Sequence, residues 1–159
     1  MSCEIERKFL LADDSWRASA PERVRMVQGY LAGGANSPTV RVRIAGDEAF
    51  LTIKGKAAAD GISRSEFEYP IPLGDAENML RTLCGTRVVE KIRYYCGRWE
   101  IDEYLGLNAG LFTAEIELET PDEAFERPAW LGREVSFESA YSNGALSRHP
   151  YSTWEKEAQ

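Results

Sequence analysis

At 159 residues, with 43% hydrophobic and 28% charged side chains, the chain has the length and make-up of one ordinary globular domain that buries its own core. Its formal charge of −7 argues against nucleic acid or an anionic membrane surface as the main partner, while leaving room for a local basic pocket. No run approaches the roughly 18 apolar residues of a membrane-spanning helix. Charges at positions 4, 6, 7 and 8 speak against a signal peptide, and Cys3, Cys84 and Cys96, odd in number and without a CxxC pair, fit reduced thiols in a cytoplasmic protein.

Most of the predicted elements are strands. CEIERKFLL (3–11) alternates with period two, DDSWRAS (13–19) predicts a helical turn, and four further strands follow at 26–32, 39–45, 49–55 and 63–71. Turn-rich pieces at 33–38, 45–48 and 57–61 separate them. Between 75 and 84, Met79, Leu80 and Leu83 recur at helical spacing and Gly85 supplies a stop. Three more strands occupy 88–97, 98–106 and 112–120. Thr120-Pro121 reads as an N-cap followed by proline at the first helical position, predicting a short helix to about Glu126, and 138–147 predicts a last one. A domain over 1–150 with a loose polar tail over 151–159 is expected. Eight short strands with mostly hairpin-length links predict a mainly β (α+β) fold, one antiparallel sheet closing into an eight-stranded barrel with a few short helices outside.

Side chains of a strand alternate between faces, and here one face is consistently charged. Glu4, Glu6 and Lys8 share a face, as do Arg41 and Arg43, Thr52 and Lys54, Glu66 and Glu68, Lys91 and Arg93, and Glu115, Glu117 and Glu119. A wet-faced antiparallel sheet would explain any one of these strands. It does not explain the set, in which thirteen of the fourteen residues are charged and the signs come in blocks. Like charges two residues apart repel unless something binds between them. If the charged faces line the inside of a barrel, Lys8, Arg41, Arg43, Lys54, Lys91 and Arg93 share the lumen with Glu4, Glu6, Glu66, Glu68, Glu115, Glu117 and Asp102. The apolar faces then look outward, where they and Trp99, Trp130 and Trp154 offer surface for helix packing or a homodimer contact.

Converging cations at low dielectric call for a polyanion. Arginine forks match phosphate oxygens and lysine adds point charge. Carboxylates without accompanying histidine or cysteine pairs suit a hard cation such as Mg²⁺ or Mn²⁺. The lone histidine, His149, falls in the polar tail, so a Ser-His-Asp or Cys-His arrangement has little support, and GKAAADG lacks the phosphate-loop spacing.

Glu4-Ile5-Glu6-Arg7-Lys8 is an ExExK motif, followed in order by QGYL, VRVRI, LTIKG, RSEFEY, EKIRYY, WEIDEY, AEIELE, WLGREV and Tyr141…Asn143…Leu146. This ordered set resembles the CYTH domains, or triphosphate tunnel metalloenzymes, over roughly residues 3 to 147. The resemblance implies a tunnel that takes a small-molecule triphosphate with a divalent metal, Mg²⁺ or Mn²⁺. It further implies that Lys8, Arg41, Arg43, Lys54, Lys91 and Arg93 hold phosphates, and that Glu4, Glu6, Glu115 and Glu117 hold metal. Glu66, Glu68 and Asp102 would be further lumen acids, and Lys8, Glu6, Arg41 and Lys54 would carry the catalysis. Among the family's activities the compact chain looks most like the inorganic tripolyphosphatases. Nucleoside or thiamine triphosphatase, class IV adenylyl cyclase and a non-catalytic polyphosphate-binding module stand as alternatives.

Overall fold

The computed structural model describes residues 2–34 and 37–154. It contains strands β1 (Ser2–Leu11), β2 (Glu22–Gly34), β3 (Ser37–Ala45), β4 (Glu48–Lys54), β5 (Ser63–Pro70), β6 (Val88–Cys96), β7 (Trp99–Tyr104), β8 (Phe112–Glu117) and β9 (Leu131–Glu134), and helices α1 (Leu73–Thr82) and α2 (Asn143–Arg148). All pairings are antiparallel, in the order β5-β4-β3-β2-β6-β7-β8-β1-β9, and a further pairing of β5 with β1 closes the first eight strands into the expected barrel. Closure removes the sheet edges that an open arrangement would leave unpaired.

β1 is the seam. Its first residues pair with β5 (Ser2↔Glu66 to Ile5↔Ser63), while Glu6 to Leu10 pair with β8 on the other side (Glu6↔Glu117, Lys8↔Glu115). β9, not expected as a strand, takes the edge that β5 leaves, with Phe9↔Glu134 and Leu11↔Leu131. Gly132 makes this approach feasible, because a Cβ there would stand 2.8 Å from the Leu10 carbonyl oxygen.

The apolar faces of the strands point outward and are covered in patches. Phe9, Trp99, Ile101 and Ile116 are buried with Trp16, which a short 3₁₀ turn (Ser15–Ser19) lays edge-on against Tyr94 at 4.9 Å. A second patch gathers Val42 and Ala49 under Ala76 of α1 and Cys84 beyond it. A Cβ on Gly29 would stand 2.6 Å from Cys84 Sγ and 2.8 Å from Leu80, so this strand glycine is what lets the helix seat. A third patch lies on the inward face, at the end of the barrel, where Val89 and Tyr104, in phase with Lys91, pack with Leu111 against Leu146 of α2. Each large side chain buried this way stabilises by about 1.5–3 kcal/mol.

Two expectations fail. The segment 120–126 makes only a turn, with Glu123 N–H donating to the Thr120 carbonyl. Phe125 is drawn edge-on between Phe9 (6.0 Å) and Trp99 (5.8 Å), and Pro128 follows too soon for a helix to propagate. The C-terminal segment is not loose through residue 154, since Trp154 packs edge-on against Tyr141 and Tyr151, both at 5.0 Å, and donates its indole N–H to the His149 carbonyl. The remaining tail residues 155–159, and positions 35 and 36 of the predicted 33–38 turn, lie outside the described residues. The three cysteines are free thiols. Among the described residues no helix is long and apolar enough to cross a membrane.

Candidate active site

The inward faces meet around a cavity of about 540 Å³. Of the side chains expected in the lumen, Glu4, Glu6, Lys8, Arg41, Arg43, Lys54, Glu66, Glu68, Arg93, Glu115 and Glu117 all line it. Lys91 and Asp102 lie in the wall behind Arg93, both wholly buried. Glu119 falls beyond the end of β8. The register explains the convergence, because residues paired across neighbouring strands share a face: Lys8↔Glu115, Glu100↔Glu115, Arg93↔Asp102, Gln28↔Arg43, Arg41↔Thr52, Lys54↔Glu66 and Glu4↔Arg64.

The cations are held in distinct ways. Lys54 Nζ donates to both Glu4 oxygens (2.9 and 3.0 Å) and lies 3.5 Å from Glu66. Lys8 Nζ donates to the Tyr141 carbonyl (3.0 Å) and faces Glu115 at 3.6 Å. Asp102 accepts from Lys91 Nζ at 2.8 Å and, through both oxygens, from Arg93 at 2.8 and 2.9 Å. Arg41 donates to the Thr52 hydroxyl at 3.2 Å, but its Nε is buried without a partner. Arg43 donates through Nε to the Gln28 amide oxygen at 3.0 Å.

Electrostatics follow from crowding in a dry interior. Burial pushes Lys91 down to about 7 against the help of Asp102, and neighbouring Arg93 and Arg43 add like-charge repulsion. Burial likewise lowers Arg43, to about 10, with Arg41 and Arg93 adding like-charge repulsion. Burial would raise Asp102, yet Arg93 and Lys91 hold it at about 2. Among the acids, burial and then the Glu115 and Glu4 charges drive Glu6 well above the usual carboxylate range. Glu115, also buried, is pulled well below it by Lys8 and Arg93 and by a hydrogen bond from Glu6.

Several lumen residues were not anticipated from the sequence. Arg64, 3.5 Å from Glu4, and Glu100, 3.3 Å from Arg93, line the cavity in phase with Glu66 and Asp102. Gln28 and Tyr30 supply the inward face of β2, on which no charge advertised the lumen. The segment from Ser139 to Arg148 caps one end; Asn143 Oδ1 accepts from Lys91 Nζ at 3.1 Å and from the Tyr104 hydroxyl at 3.0 Å. A second chamber of about 310 Å³ adjoins the first and shares Glu4, Glu6, Lys8 and Arg64 with it.

Among the described residues, eight cations (Lys8, Arg41, Arg43, Lys54, Arg64, Lys91, Arg93 and Arg148) thus face eight carboxyls (Glu4, Glu6, Glu66, Glu68, Glu100, Asp102, Glu115 and Glu117). The lumen is close to neutral as it stands. A polyanion that enters must bring cations with it, and the carboxyls are the groups able to receive them. Among the described residues no three carboxylates are gathered as a ready-made chelate. The donor set nevertheless fits a hard divalent ion in kind: it is all oxygen, and the mutual repulsion of Glu4, Glu6 and Glu115 is what such an ion would relieve.

Comparison with known proteins agrees with this architecture. The CYTH domain profile matches residues 2–149. The chain is similar to an inorganic triphosphatase of Acetivibrio thermocellus, 42% identical over 160 residues that span 98% of this chain and 100% of that protein. It is also similar to an inorganic triphosphatase of Nitrosomonas europaea, 36% identical over 152 residues, 91% of this chain and 96% of that one. Among solved structures, the crystal structure of the inorganic triphosphatase NE1496 superposes with a TM-score of 0.63 at 33% identity, covering 92% of this chain and 95% of that chain.

Proposed function

The chain belongs to the CYTH domain family, and from that premise we propose that it is a metal-dependent triphosphatase that cleaves a terminal phosphoanhydride bond of inorganic tripolyphosphate inside the tunnel. The observation that carries this reading is the balanced lumen, in which, among the described residues, eight cations and eight carboxyls enclose one cavity and the buried Arg41 Nε has no protein partner. A lumen built only to bind a polyanion would need the cations without the acids. The relatives that span nearly the same length are inorganic triphosphatases. Among the described residues, Tyr30 is the one aromatic side chain lining the main cavity, so that its wall offers phosphate contacts rather than a stacked base.

The roles follow from the positions. Arg41, Arg43, Lys54 and Arg93 face the cavity and bind phosphate oxygens, the arginines through forked N–H pairs. Lys91, behind Arg93, adds positive potential without direct exposure. Glu4, Glu6, Glu115 and Glu117 would hold Mg²⁺ or Mn²⁺, which when bound neutralises phosphate charge and orients water. Water attacks the terminal phosphorus in line, the bridging P–O bond breaks, and pyrophosphate leaves among the basic side chains. Lys8, between Glu115 and the capping segment, and Glu6 line both chambers and are assigned to the attacking water. Arg41 and Lys54 stabilise charge developing on the transferred group. Free thiols and the absence of any required disulfide are compatible with the cytoplasm.

The test is a side-by-side assay of tripolyphosphate, ATP and thiamine triphosphate with Mg²⁺ or Mn²⁺, monitoring orthophosphate and cyclic AMP. Tripolyphosphate should be the best substrate and EDTA should abolish turnover. Preference for ATP or thiamine triphosphate would reassign the substrate, cyclic AMP would indicate a cyclase, and tight binding without phosphate release would indicate a binding module.

A further inference from the structure

Gln28 is wholly buried in a lumen otherwise organised by charge. It stands directly across from Arg43 on the neighbouring strand, as Tyr30 stands across from Arg41. Its amide oxygen accepts from Arg43 Nε at 3.0 Å and its amide nitrogen donates to the Tyr30 hydroxyl at 2.7 Å. The orientation of the amide is fixed by chemistry, because an arginine Nε has no lone pair and can only donate. Both ends of Gln28 are therefore used, one on each of two cavity-lining residues.

The neutrality of this partner matters. Lys54, Lys91 and Arg93 each pair with a carboxylate within 3.0 Å, and Lys8 and Arg41 have one at 3.6 Å. Arg43, by contrast, makes no ion pair among the described residues, although Arg41 and Arg93 are charged neighbours. A carboxylate at position 28 would orient the guanidinium equally well but would cancel its charge. An apolar side chain would leave the charge and lose the orientation. Glutamine does the one without the other.

We infer that Gln28 is a positioning residue: it holds Arg43 through Nε so that the two terminal nitrogens, with their charge unspent, face the phosphate oxygens of the substrate. This rests on the triphosphate reading of the cavity. Tyr30, which receives the other end of the amide and packs beneath Gly144 of the capping helix, ties the same side chain to the end of the tunnel.

The experiment measures tripolyphosphate affinity by calorimetry and the kcat and KM of hydrolysis for Gln28→Glu, Gln28→Met, Arg43→Met and the double variant Gln28→Met/Arg43→Met, with melting temperature as a check on folding. Gln28→Glu, which is isosteric and supplies Arg43 with a counter-charge, should weaken affinity and raise KM by about tenfold or more while kcat changes less. Gln28→Met should weaken affinity by about tenfold, and should add nothing once Arg43 is Met, because its effect passes through that guanidinium. Should Gln28→Met fail to fold, Gln28→Glu carries the test alone. Unchanged affinity and KM in Gln28→Glu, or a Gln28→Met loss of the same size with and without Arg43, would overturn the assignment. A wild-type chain that neither binds nor hydrolyses tripolyphosphate would remove the triphosphate reading and this assignment with it, an outcome distinct from a wild type that works and a Gln28→Glu variant that works equally well.

Discussion

Asp102→Asn probes the electrostatic economy of the lumen. Asp102 is wholly buried and is the shared acceptor of Lys91 Nζ (2.8 Å) and of both donating nitrogens of Arg93 (2.8 and 2.9 Å). Substitution by the isosteric amide removes the charge and leaves two buried cations facing each other. Breaking a buried pair by removing one partner costs about 3–5 kcal/mol, equivalent to a fall in melting temperature of about 6–20 °C for a chain of this size. Lys91 can escape part of this by releasing its proton, since burial already holds it at about 7. The loss should therefore be larger at pH 6 than at pH 9. Tripolyphosphate supplies the missing negative charge and should restore stability, by about 2.7 kcal/mol at one hundred times its dissociation constant. Urea denaturation followed by circular dichroism, at both pH values and with and without tripolyphosphate, reads all three effects. A loss under about 1 kcal/mol at pH 6, or no pH dependence, would refute the view that Asp102 is what makes the two cations tolerable.

Arg41→Ala and Lys54→Ala should each lower kcat about 10²–10³-fold while the circular dichroism spectrum and melting temperature stay near wild type; near-normal turnover in both would contradict their placement at the transferred phosphoryl group. Lys91 also makes a prediction for the wild-type chain. Its pKa is lowered on folding from the ordinary lysine value to about 7. The unfolded chain thus binds more protons between pH 7 and about 10.4, and stability from this group rises with pH across that window. Denaturation of wild type and Lys91→Met from pH 6 to pH 10 should show the variant's relative stability declining as pH rises, and a constant difference would place the lysine in a more solvated setting.

Much of the tunnel was legible because a closed barrel turns strand alternation into an inside and an outside. Glu4, Glu6 and Lys8, or Arg41 and Arg43, are separated by one residue each, and once such strands pair in register their charges must converge. The same rule applied to β2 finds nothing, since its inward residues Gln28 and Tyr30 are uncharged and differ in no obvious way from a strand interior. Arg64 and Glu100 were in phase with residues already singled out and needed only a longer application of the alternation. The missing helix at 120–126 shows where local signals lose: a threonine cap and a proline cannot outweigh a phenylalanine that has two aromatic partners across the chain. Strand β9 and the cap at Ser139–Arg148 owe their positions to β1 and to Lys8 and Lys91, partners more than 50 residues distant in sequence, and a local pattern carries no trace of such partners.

The most direct test of the central claim is phosphorus NMR of tripolyphosphate incubated with the wild-type chain and Mg²⁺ or Mn²⁺ in ¹⁸O-labelled water. Attack of water on the terminal phosphorus predicts equal yields of orthophosphate and pyrophosphate, with the label in orthophosphate alone and no reaction after EDTA. Tripolyphosphate that stays intact with metal present, or label recovered in pyrophosphate, would contradict it.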